Sequence, residues 1–184
     1  QTDIRIKMRV VFHTLGCKLN FAETSTLASK FLDQGYERVD FNEAADVYVI
    51  NTCSVTGQAD RKSKEAIKKA RNRNPKARIV AVGCYAQLQS EKIANIEGVD
   101  LILGSNEKFR ILEYLENHRE KDEPEIHTCA LNDSLAYVPS YSLGDRTRSF
   151  LKIQDGCDYV RTYCTVPLAR GKSRNPSTAS ILEQ

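Results

Sequence analysis

The chain carries at residues 47–53 the stretch Val-Tyr-Val-Ile-Asn-Thr-Cys, a short apolar strand that ends in two polar residues and a cysteine. A strand that is apolar at nearly every position is typical of a parallel sheet with helices on both faces. Residues 9–17 and residues 79–84 repeat the arrangement, each with an apolar strand before a glycine and a cysteine. Because the carboxyl ends of parallel strands lie on one edge of a sheet, the three cysteines are expected to converge there. These cysteines are Cys17, Cys53 and Cys84.

Helical patterns separate these strands. Residues 20–34 and 60–73 have apolar residues at helical spacing, and a further helix is expected at 87–95. Additional strands are predicted at 100–103 and, more weakly, at 36–40. The alternation predicts an α/β fold, with an open parallel sheet of four or five strands flanked by helices. The residues predicted to face the sheet are Phe21, Leu27, Phe31 and Leu32 in the first helix and Ser63, Ala66, Ile67 and Ala70 in the second.

The pattern divides the chain into two domains. Residues 8–121 form the α/β domain, and residues 122–148 have the proline, glycine and serine content of a linker with room for one short strand. A strand at 150–154 and a helix that begins near Ser177 then predict the first βα unit of a second, incomplete domain over residues 149–184. One βα unit cannot bury a core alone, so this part is a fragment or packs on the first domain.

The composition is that of an ordinary globular protein of 184 residues, with 41% hydrophobic residues, 28% charged residues and a net charge of +3. No apolar run approaches the roughly 20 residues of a membrane helix, so no membrane partner is expected. Six cysteines are too few and too scattered for a disulfide-stapled secreted domain. This cysteine usage favours a reducing, cytoplasmic location.

Cysteines at strand ends are candidates for metal ligands. A single cysteine is most often a small core residue, but three at the same topological position favour a shared site. Gly16 and Gly83 directly precede two of them and leave room for a bulky ligand. Asn20 and Asn51 are placed to donate hydrogen bonds to cluster sulfides. An iron–sulfur cluster and a zinc ion with His13 as fourth ligand are both compatible with these residues.

Four motifs together resemble the methylthiotransferase family of radical S-adenosylmethionine (radical-SAM) enzymes. Residues 14–20 read Thr-Leu-Gly-Cys-Lys-Leu-Asn, residues 51–56 read Asn-Thr-Cys-Ser-Val-Thr, and residues 82–87 read Val-Gly-Cys-Tyr-Ala-Gln. Residues 155–171, from Asp-Gly-Cys to Pro-Leu-Ala-Arg-Gly, resemble the start of the family's radical domain. The Cys-Lys-Leu-Asn form is most similar to the branch that modifies N6-threonylcarbamoyladenosine (t6A) next to the tRNA anticodon.

The resemblance implies the cofactors and the reaction. Cys17, Cys53 and Cys84 would bind an auxiliary [4Fe–4S] cluster, in which one iron holds the sulfur to be delivered. In the family, a second [4Fe–4S] cluster binds S-adenosyl-L-methionine, and an electron from a one-electron reductant cleaves it to a radical that acts at C2 of the adenine. A second S-adenosyl-L-methionine supplies the methyl group. Residues 8–121 would be the N-terminal methylthiotransferase domain, and residues 149–184 would begin a radical-SAM partial barrel.

The chain departs from the family pattern at the second cluster. The family spacing places cysteines at positions 157, 161 and 164, and this chain has Cys157, Arg161 and Cys164. A guanidinium has no lone pair for iron, so the second cluster is predicted not to assemble normally and the fragment to be inactive alone. Tyr163 matches the family's aromatic position near the adenine of S-adenosyl-L-methionine, and a core tyrosine is an equal interpretation. Cys129 has no partner pattern and is interpreted as structural.

Two basic segments are candidates for RNA contact. Residues 61–78 hold nine Lys or Arg residues and one acidic residue. A second basic cluster consists of Arg146, Arg148, Arg170, Lys172 and Arg174. A solvated helix face is the plainer interpretation, but the lopsided charge favours contact with RNA phosphates, which the resemblance identifies as those of a tRNA anticodon loop. The residues predicted to contact RNA are Arg61, Lys62, Lys64, Lys68, Lys69, Arg71, Arg170, Lys172 and Arg174.

Three functions are compatible with the sequence. The first is the N-terminal part of a tRNA methylthiotransferase that adds a methylthio group to C2 of t6A. The second is a cluster-bearing module that binds RNA or a partner without catalysis, because Arg161 disables the radical site. The third is a flavodoxin-like nucleotide-binding domain with cysteines in its core. The third lacks a glycine-rich phosphate loop after its first strand, which counts against it.

Overall fold

The computed structural model describes residues 7–54, 57–117, 123–131, 136–142 and 148–183. Within these residues the main sheet has six strands, and every neighbouring pair is parallel. The strands are β1 (Arg9–Thr14), β2 (Glu37–Arg38), β3 (Val47–Thr52), β4 (Arg78–Gly83), β5 (Leu101–Leu103) and β6 (Glu125–His127). Their spatial order is β2-β1-β3-β4-β5-β6. The predicted open parallel α/β sheet is therefore confirmed.

The helices alternate with the strands. They are α1 (Lys18–Asp33), α2 (Gly57–Arg73), α3 (Cys84–Leu88), α4 (Ser90–Ala94), α5 (Ile111–Asn117), α6 (Val166–Arg170) and α7 (Thr178–Leu182). The helix predicted at 87–95 is thus divided into α3 and α4, and a 3₁₀ turn at Glu107–Arg110 leads into α5. Residues 118–122, which include the predicted end of the first domain at residue 121, lie outside the described residues. No helix of the described residues has both the length and the apolar character that crossing a membrane requires.

Helices cover both faces of the sheet, which explains why the first four residues of β3 are all apolar. All six residues of β3 are buried. Tyr48 and Ile50 belong to a core cluster that also contains residues of α2, α3 and α4. Val47 and Val49 belong to a second cluster, with residues of α1 and α5. The four residues of α2 predicted to face the sheet are all buried.

Helix α1 has polar residues on its buried side. Leu27 and Phe31 are fully buried as predicted, whereas Leu32 is 49% exposed. Leu32 lies about 100° further around the helix than its neighbour, so it leaves the buried stripe. Asn20 and Glu23 are also buried, seven and four residues before Leu27. Sequence periodicity misses them because it registers only apolar residues.

The segment predicted as a linker contributes a strand to the main sheet. β6 pairs in parallel with β5, with Ile102 opposite Ile126. The sequence predicts that the α/β domain ends at residue 121. The sheet continues beyond that residue, because β6 is part of it. The domain boundary itself stays a prediction.

The described residues after the main sheet contain a second, smaller sheet. β7 (Tyr141–Ser142) and β8 (Phe150–Leu151) form an antiparallel pair. Phe150 packs edge to face on Phe21 of α1, with ring centroids 6.0 Å apart. The strand predicted at 150–154 is therefore short and antiparallel, and the βα unit of a radical-SAM partial barrel stays a prediction. Helix α7 begins directly after Ser177, as predicted.

A buried carboxylate on α1, that of Glu23, joins three parts of the chain. Its Oε2 accepts hydrogen bonds from Lys108 at 2.6 Å and Arg170 at 2.9 Å, and its Oε1 accepts from Lys152 at 3.1 Å and Arg170 at 2.9 Å. All four side chains are at most 4% exposed. Burial alone raises the pKa of Glu23, but the charges of Lys108, Arg170 and Lys152 lower it well below its ordinary value of 4.5. Glu23 is therefore ionised and paired. It binds α1 to the C-terminal segment, which is residues 148–183.

Replacing Glu23 with glutamine is expected to destabilise the fold, because three buried cations lose their shared carboxylate. We expect Glu23→Gln to lower the free energy of unfolding by about 3–5 kcal/mol at neutral pH, as measured by urea denaturation. Because the folded chain lowers the pKa of Glu23, this contribution is complete above the ordinary carboxylate pKa and decreases as the pH falls below it.

The control is Glu43→Gln, which removes a solvent-exposed pair with Arg9. This change should cost less than about 1 kcal/mol. Equal losses in the two variants would contradict a stabilising role for the buried carboxylate.

Candidate metal centre

The three cysteine-bearing strand ends are neighbours in the sheet. Strand β3 pairs with β1 on one side and with β4 on the other. Cys53 directly follows β3 and Cys84 directly follows β4, and the residues before them, Thr52 and Gly83, lie opposite each other. Cys17 lies three residues beyond the end of β1. The backbone therefore brings the three cysteines to the carboxyl edge of three adjacent strands.

The side-chain amide of Asn20 joins two cysteine loops, the one that contains Cys17 and the one that contains Cys53. Its Nδ2 donates to the carbonyl oxygen of Leu15 at 2.9 Å and to that of Thr52 at 3.3 Å. The Sγ of Cys17 donates to its Oδ1 at 3.8 Å. Asn51 in turn donates to the backbone carbonyl of Asn20 at 3.0 Å. The donor groups of both asparagines therefore bind protein oxygens, not the cluster sulfides for which the sequence suggests them.

Two glycines let the backbone pack closely around the thiols. A Cβ atom at Gly16 would lie 2.8 Å from the Sγ of Cys53, so a side chain there would collide with the thiol that this loop covers. Gly83 has φ +99°, and a Cβ atom there would collide with Oδ1 of Asn51 and lie 2.7 Å from the carbonyl oxygen of Thr52. Both positions require glycine because protein atoms occupy the space that a side chain would need. Room for a bulky ligand, which the sequence suggests, stays a prediction.

The three thiols differ in burial, and one of them lies near two buried cations. Cys53 is buried, Cys84 is partly buried and Cys17 is exposed. Cys84 lies within electrostatic range of the buried cations Lys108 and Arg170. Two buried positive charges at this edge favour an anionic set of ligands.

Three cysteine side chains are a donor set of the kind that iron–sulfur clusters take. Among the described residues, no group of three or more His, Cys, Asp or Glu side chains is arranged to hold one metal ion. A four-iron cluster places each thiolate on a different iron, so its sulfur ligands need not surround one point. His13, considered above as a fourth zinc ligand, stacks on Phe41 with ring centroids 4.4 Å apart. Burial and the charge of Lys69 lower the pKa of His13.

Cys157 and Cys164 lie in a loop before α6. Backbone hydrogen bonds within the C-terminal segment hold this loop. The amide of Cys157 donates to the carbonyl of Gly171 at 3.1 Å, and the amide of Cys164 donates to the carbonyl of Arg161 at 3.0 Å. Arg161 is exposed, and its guanidinium offers iron no lone pair. The residues present therefore do not fit a cluster with three cysteine ligands. Tyr163 is 81% exposed, so its interpretation as a core tyrosine is wrong.

The basic residues predicted to contact RNA divide into an exposed and a structural group. Six of them are exposed, five along α2 and one after α6. A lopsided exposed charge of this kind suits contact with phosphates. The exposed residues are Arg61, Lys62, Lys64, Lys68, Lys69 and Lys172.

Three arginines predicted to contact RNA are used inside the protein instead. Arg170 is 4% exposed and pairs with Glu23, so it cannot reach a phosphate. Arg71 is 23% exposed and pairs with Asp100 at 3.0 Å. Arg174 donates to two backbone carbonyl groups, at 2.9 and 3.0 Å. The sequence does not reveal this difference, because a local run of charge does not show whether its donors already have partners.

Strands β1 to β5 of the parallel sheet, with the three cysteine-bearing strand ends at one edge, lie within the range in which a known protein family matches the chain. Residues 9–104 match the family model described as uncharacterized protein family UPF0004, and the chain belongs to this family.

Relatives with assigned names extend the similarity beyond this range. The threonylcarbamoyladenosine tRNA methylthiotransferases MtaB of Aquifex aeolicus and Bacillus subtilis are each 41% identical over 179 residues, which cover 96% and 95% of this chain. The tRNA-2-methylthio-N(6)-dimethylallyladenosine synthase of Chloroherpeton thalassium is 31% identical over 183 residues, or 97% of this chain. The chain spans 44%, 39% and 40% of the lengths of these three relatives.

Substitution of Gly83 tests the close packing at the cysteine edge. Alanine at this position carries the strain of a positive φ and also collides with β3. Gly35 has a comparable φ of +85°, but nothing lies within 4 Å of its Cβ position. We expect Gly83→Ala to lower the free energy of unfolding by about 1–3 kcal/mol more than Gly35→Ala does, as measured by urea denaturation. Equal losses would show that the edge has room for a side chain.

Proposed function

We propose that this chain is the N-terminal part of a tRNA methylthiotransferase that adds a methylthio group to C2 of N6-threonylcarbamoyladenosine next to the anticodon. The observation that carries the proposal is the meeting of three cysteine-bearing strand ends at one edge of a parallel sheet. The two relatives at 41% identity are named for threonylcarbamoyladenosine, and the dimethylallyladenosine synthase is 31% identical. This difference favours threonylcarbamoyladenosine as the base.

Cys17, Cys53 and Cys84 are the residues that would hold an auxiliary [4Fe–4S] cluster. With three protein ligands, one iron stays open to the sulfur that the reaction transfers. The chain's own part is to hold and shield the ligands. Gly16 lets the first loop cover Cys53, and Asn20 fixes that loop to the second one.

Charge compensation is a second contribution of the chain. Three thiolates would bring three negative charges to one edge of the sheet, and burial makes those of Cys53 and Cys84 costly. Lys108 and Arg170 lie within electrostatic range of Cys84. Their charges lower that cost, because an opposite charge nearby stabilises a buried anion.

S-adenosyl-L-methionine, a second cluster and a one-electron reductant belong to the reaction of the complete protein. In this chain Arg161 stands where the family has the middle of three cysteines. We propose that Cys157 and Cys164 alone do not hold the second cluster, and that Tyr163 acts only where that cluster is present. Arg161 also favours the second candidate function, a cluster-bearing module that binds tRNA or a partner without catalysis.

Iron and sulfide quantification after anaerobic reconstitution tests the metal site. We expect about four irons per chain and a brown protein. Alanine at Cys17, Cys53 or Cys84 should lower the iron content to below about one per chain, because two thiolates hold a four-iron cluster poorly. The control Cys129→Ala should retain the full content.

The same measurement separates the candidate functions. A colourless native chain would contradict the proposal and favour a nucleotide-binding domain with core cysteines. About eight irons in the native chain would contradict the role given to Arg161. Arg161→Cys should raise the content from about four to about eight, because it completes the second ligand set.

Charge neutralisation on α2 tests the RNA surface. Replacing Lys62, Lys64 and Lys68 with glutamine should weaken binding of a t6A-containing anticodon stem-loop, measured by fluorescence anisotropy. The slope of log K against log salt should fall by about 0.7–0.9 for each RNA phosphate that no longer pairs with a lysine. The matched control replaces three exposed lysines outside α2, namely Lys7, Lys30 and Lys92. Equal weakening in both triple variants would show that α2 is only a solvated face.

A further inference from the structure

Arg170, the last residue of α6, uses both terminal nitrogens inside the protein. Nη1 donates to Oε1 of Glu23 and to Oδ1 of Asp155, each at 2.9 Å. Nη2 donates to Oε2 of Glu23 at 2.9 Å and to Oδ1 of Asn20 at 2.8 Å. One planar guanidinium therefore bonds three side chains that come from two distant parts of the chain.

Asn20 connects this guanidinium to the first two cysteine loops. Its Oδ1 accepts from Arg170, while its Nδ2 donates to the carbonyl oxygens of Leu15 and Thr52. These carbonyls lie two residues and one residue before the cysteines of the two loops. Because Arg170 holds the oxygen end of the amide, the nitrogen end points at both loops.

Asp155 connects the same guanidinium to the loop of the second cysteine pair. Its Oδ1 accepts from the backbone amide of Gly156 at 2.9 Å as well as from Arg170. The next residue, Cys157, donates its amide to the carbonyl of Gly171, which directly follows Arg170. This loop is therefore held by two contacts: the guanidinium of Arg170 binds Asp155, and the carbonyl of Gly171 binds the amide of Cys157.

We propose that Arg170 is a positioning residue that fixes the two N-terminal cysteine loops relative to the Cys157 loop, through Asn20 on one side and Asp155 on the other. The inference rests on the proposed function only in treating these loops as parts of one reaction centre. The hydrogen bonds themselves join protein atoms alone. A fixed separation matters because groups that react together must be held in reach of each other.

Two other buried cations, Lys108 and Lys152, keep the buried carboxylates paired when Arg170 is replaced. The positioning role of Arg170 can therefore be tested separately from the stability of the fold. Without the guanidinium, Glu23 keeps Lys108 at 2.6 Å and Lys152 at 3.1 Å. Asp155 keeps Lys152 at 2.6 Å. Both carboxylates therefore stay paired when Arg170 is replaced, whereas the amide oxygen of Asn20 keeps only the long bond from the Sγ of Cys17 at 3.8 Å.

Alkylation of Cys53 measures whether the loops stay closed. Cys53 is 5% exposed beneath Gly16, whereas Cys17 is exposed, so the ratio of their rates reports loop opening. Iodoacetamide labelling of the reduced 184-residue chain, followed by peptide mass spectrometry, gives both rates without bound iron. We expect Arg170→Met to raise the ratio of the Cys53 rate to the Cys17 rate by about tenfold.

The variant Arg170→Lys keeps the positive charge at this position but removes the planar fork of hydrogen-bond donors. It therefore tests whether the arrangement of donors matters or the charge alone. It should also raise the ratio several-fold, because one ammonium cannot bond Asn20, Glu23 and Asp155 in the arrangement of the planar fork. The control is Arg78→Met, at the opposite end of β4, where a half-buried arginine donates to a backbone carbonyl at 2.9 Å. This control should leave the ratio within about twofold of the native value.

A ratio within about twofold of native in a folded Arg170→Met chain would overturn the inference. So would a native ratio in Arg170→Lys, because charge alone would then suffice. If the methionine variant does not fold, the lysine variant decides by the same ratio. Failure of the native chain to bind iron would overturn the proposed function but leave this ratio unaffected, so the two failures are distinguishable.

Discussion

One ionised carboxylate, that of Glu23, holds together parts of the chain that are far apart in sequence. It bonds Lys108, Lys152 and Arg170, which lie 85, 129 and 147 residues further along. The carboxylate would be costly to bury without these cations, and each cation would be costly to bury without the carboxylate. The C-terminal segment is therefore bound to α1 in one arrangement, because another placement would leave buried charges unpaired.

The pairing of Glu23 also affects the edge of the sheet where the three cysteines lie, because α1 carries Glu23 and begins at that edge. The helix begins directly after Cys17, and Asn20 and Glu23, on its first turns, share Arg170. The same end of one helix thus supports a cysteine loop and receives the C-terminal segment. Ligands that come from three separate strands need such support, since the groups behind a ligand set its position. The geometry of the edge therefore depends on the packing of the whole described chain.

The sheet could be predicted from the sequence because its signals are local. An apolar run such as β3, followed by a polar pair and a cysteine, lies within seven residues. The buried charges could not be predicted in this way, because Glu23, between Ala22 and Thr24, looks like any exposed glutamate of a helix. The sequence groups Arg170 with the RNA contacts for the same reason: its partners are distant along the chain. The sequence allows one short strand between residues 122 and 148 but does not place β6, because three residues in a proline-containing segment carry almost no pattern.

Three cysteines from adjacent strands are proposed to bind a cluster and to leave one iron without a protein ligand. Mössbauer spectroscopy of the chain reconstituted with iron-57 can measure this, because it resolves irons by their ligands. We expect a four-iron cluster in which one iron differs from the others in its ligand set. A spectrum of a lone thiolate-bound iron, or of a cluster whose irons all have the same ligands, would contradict it.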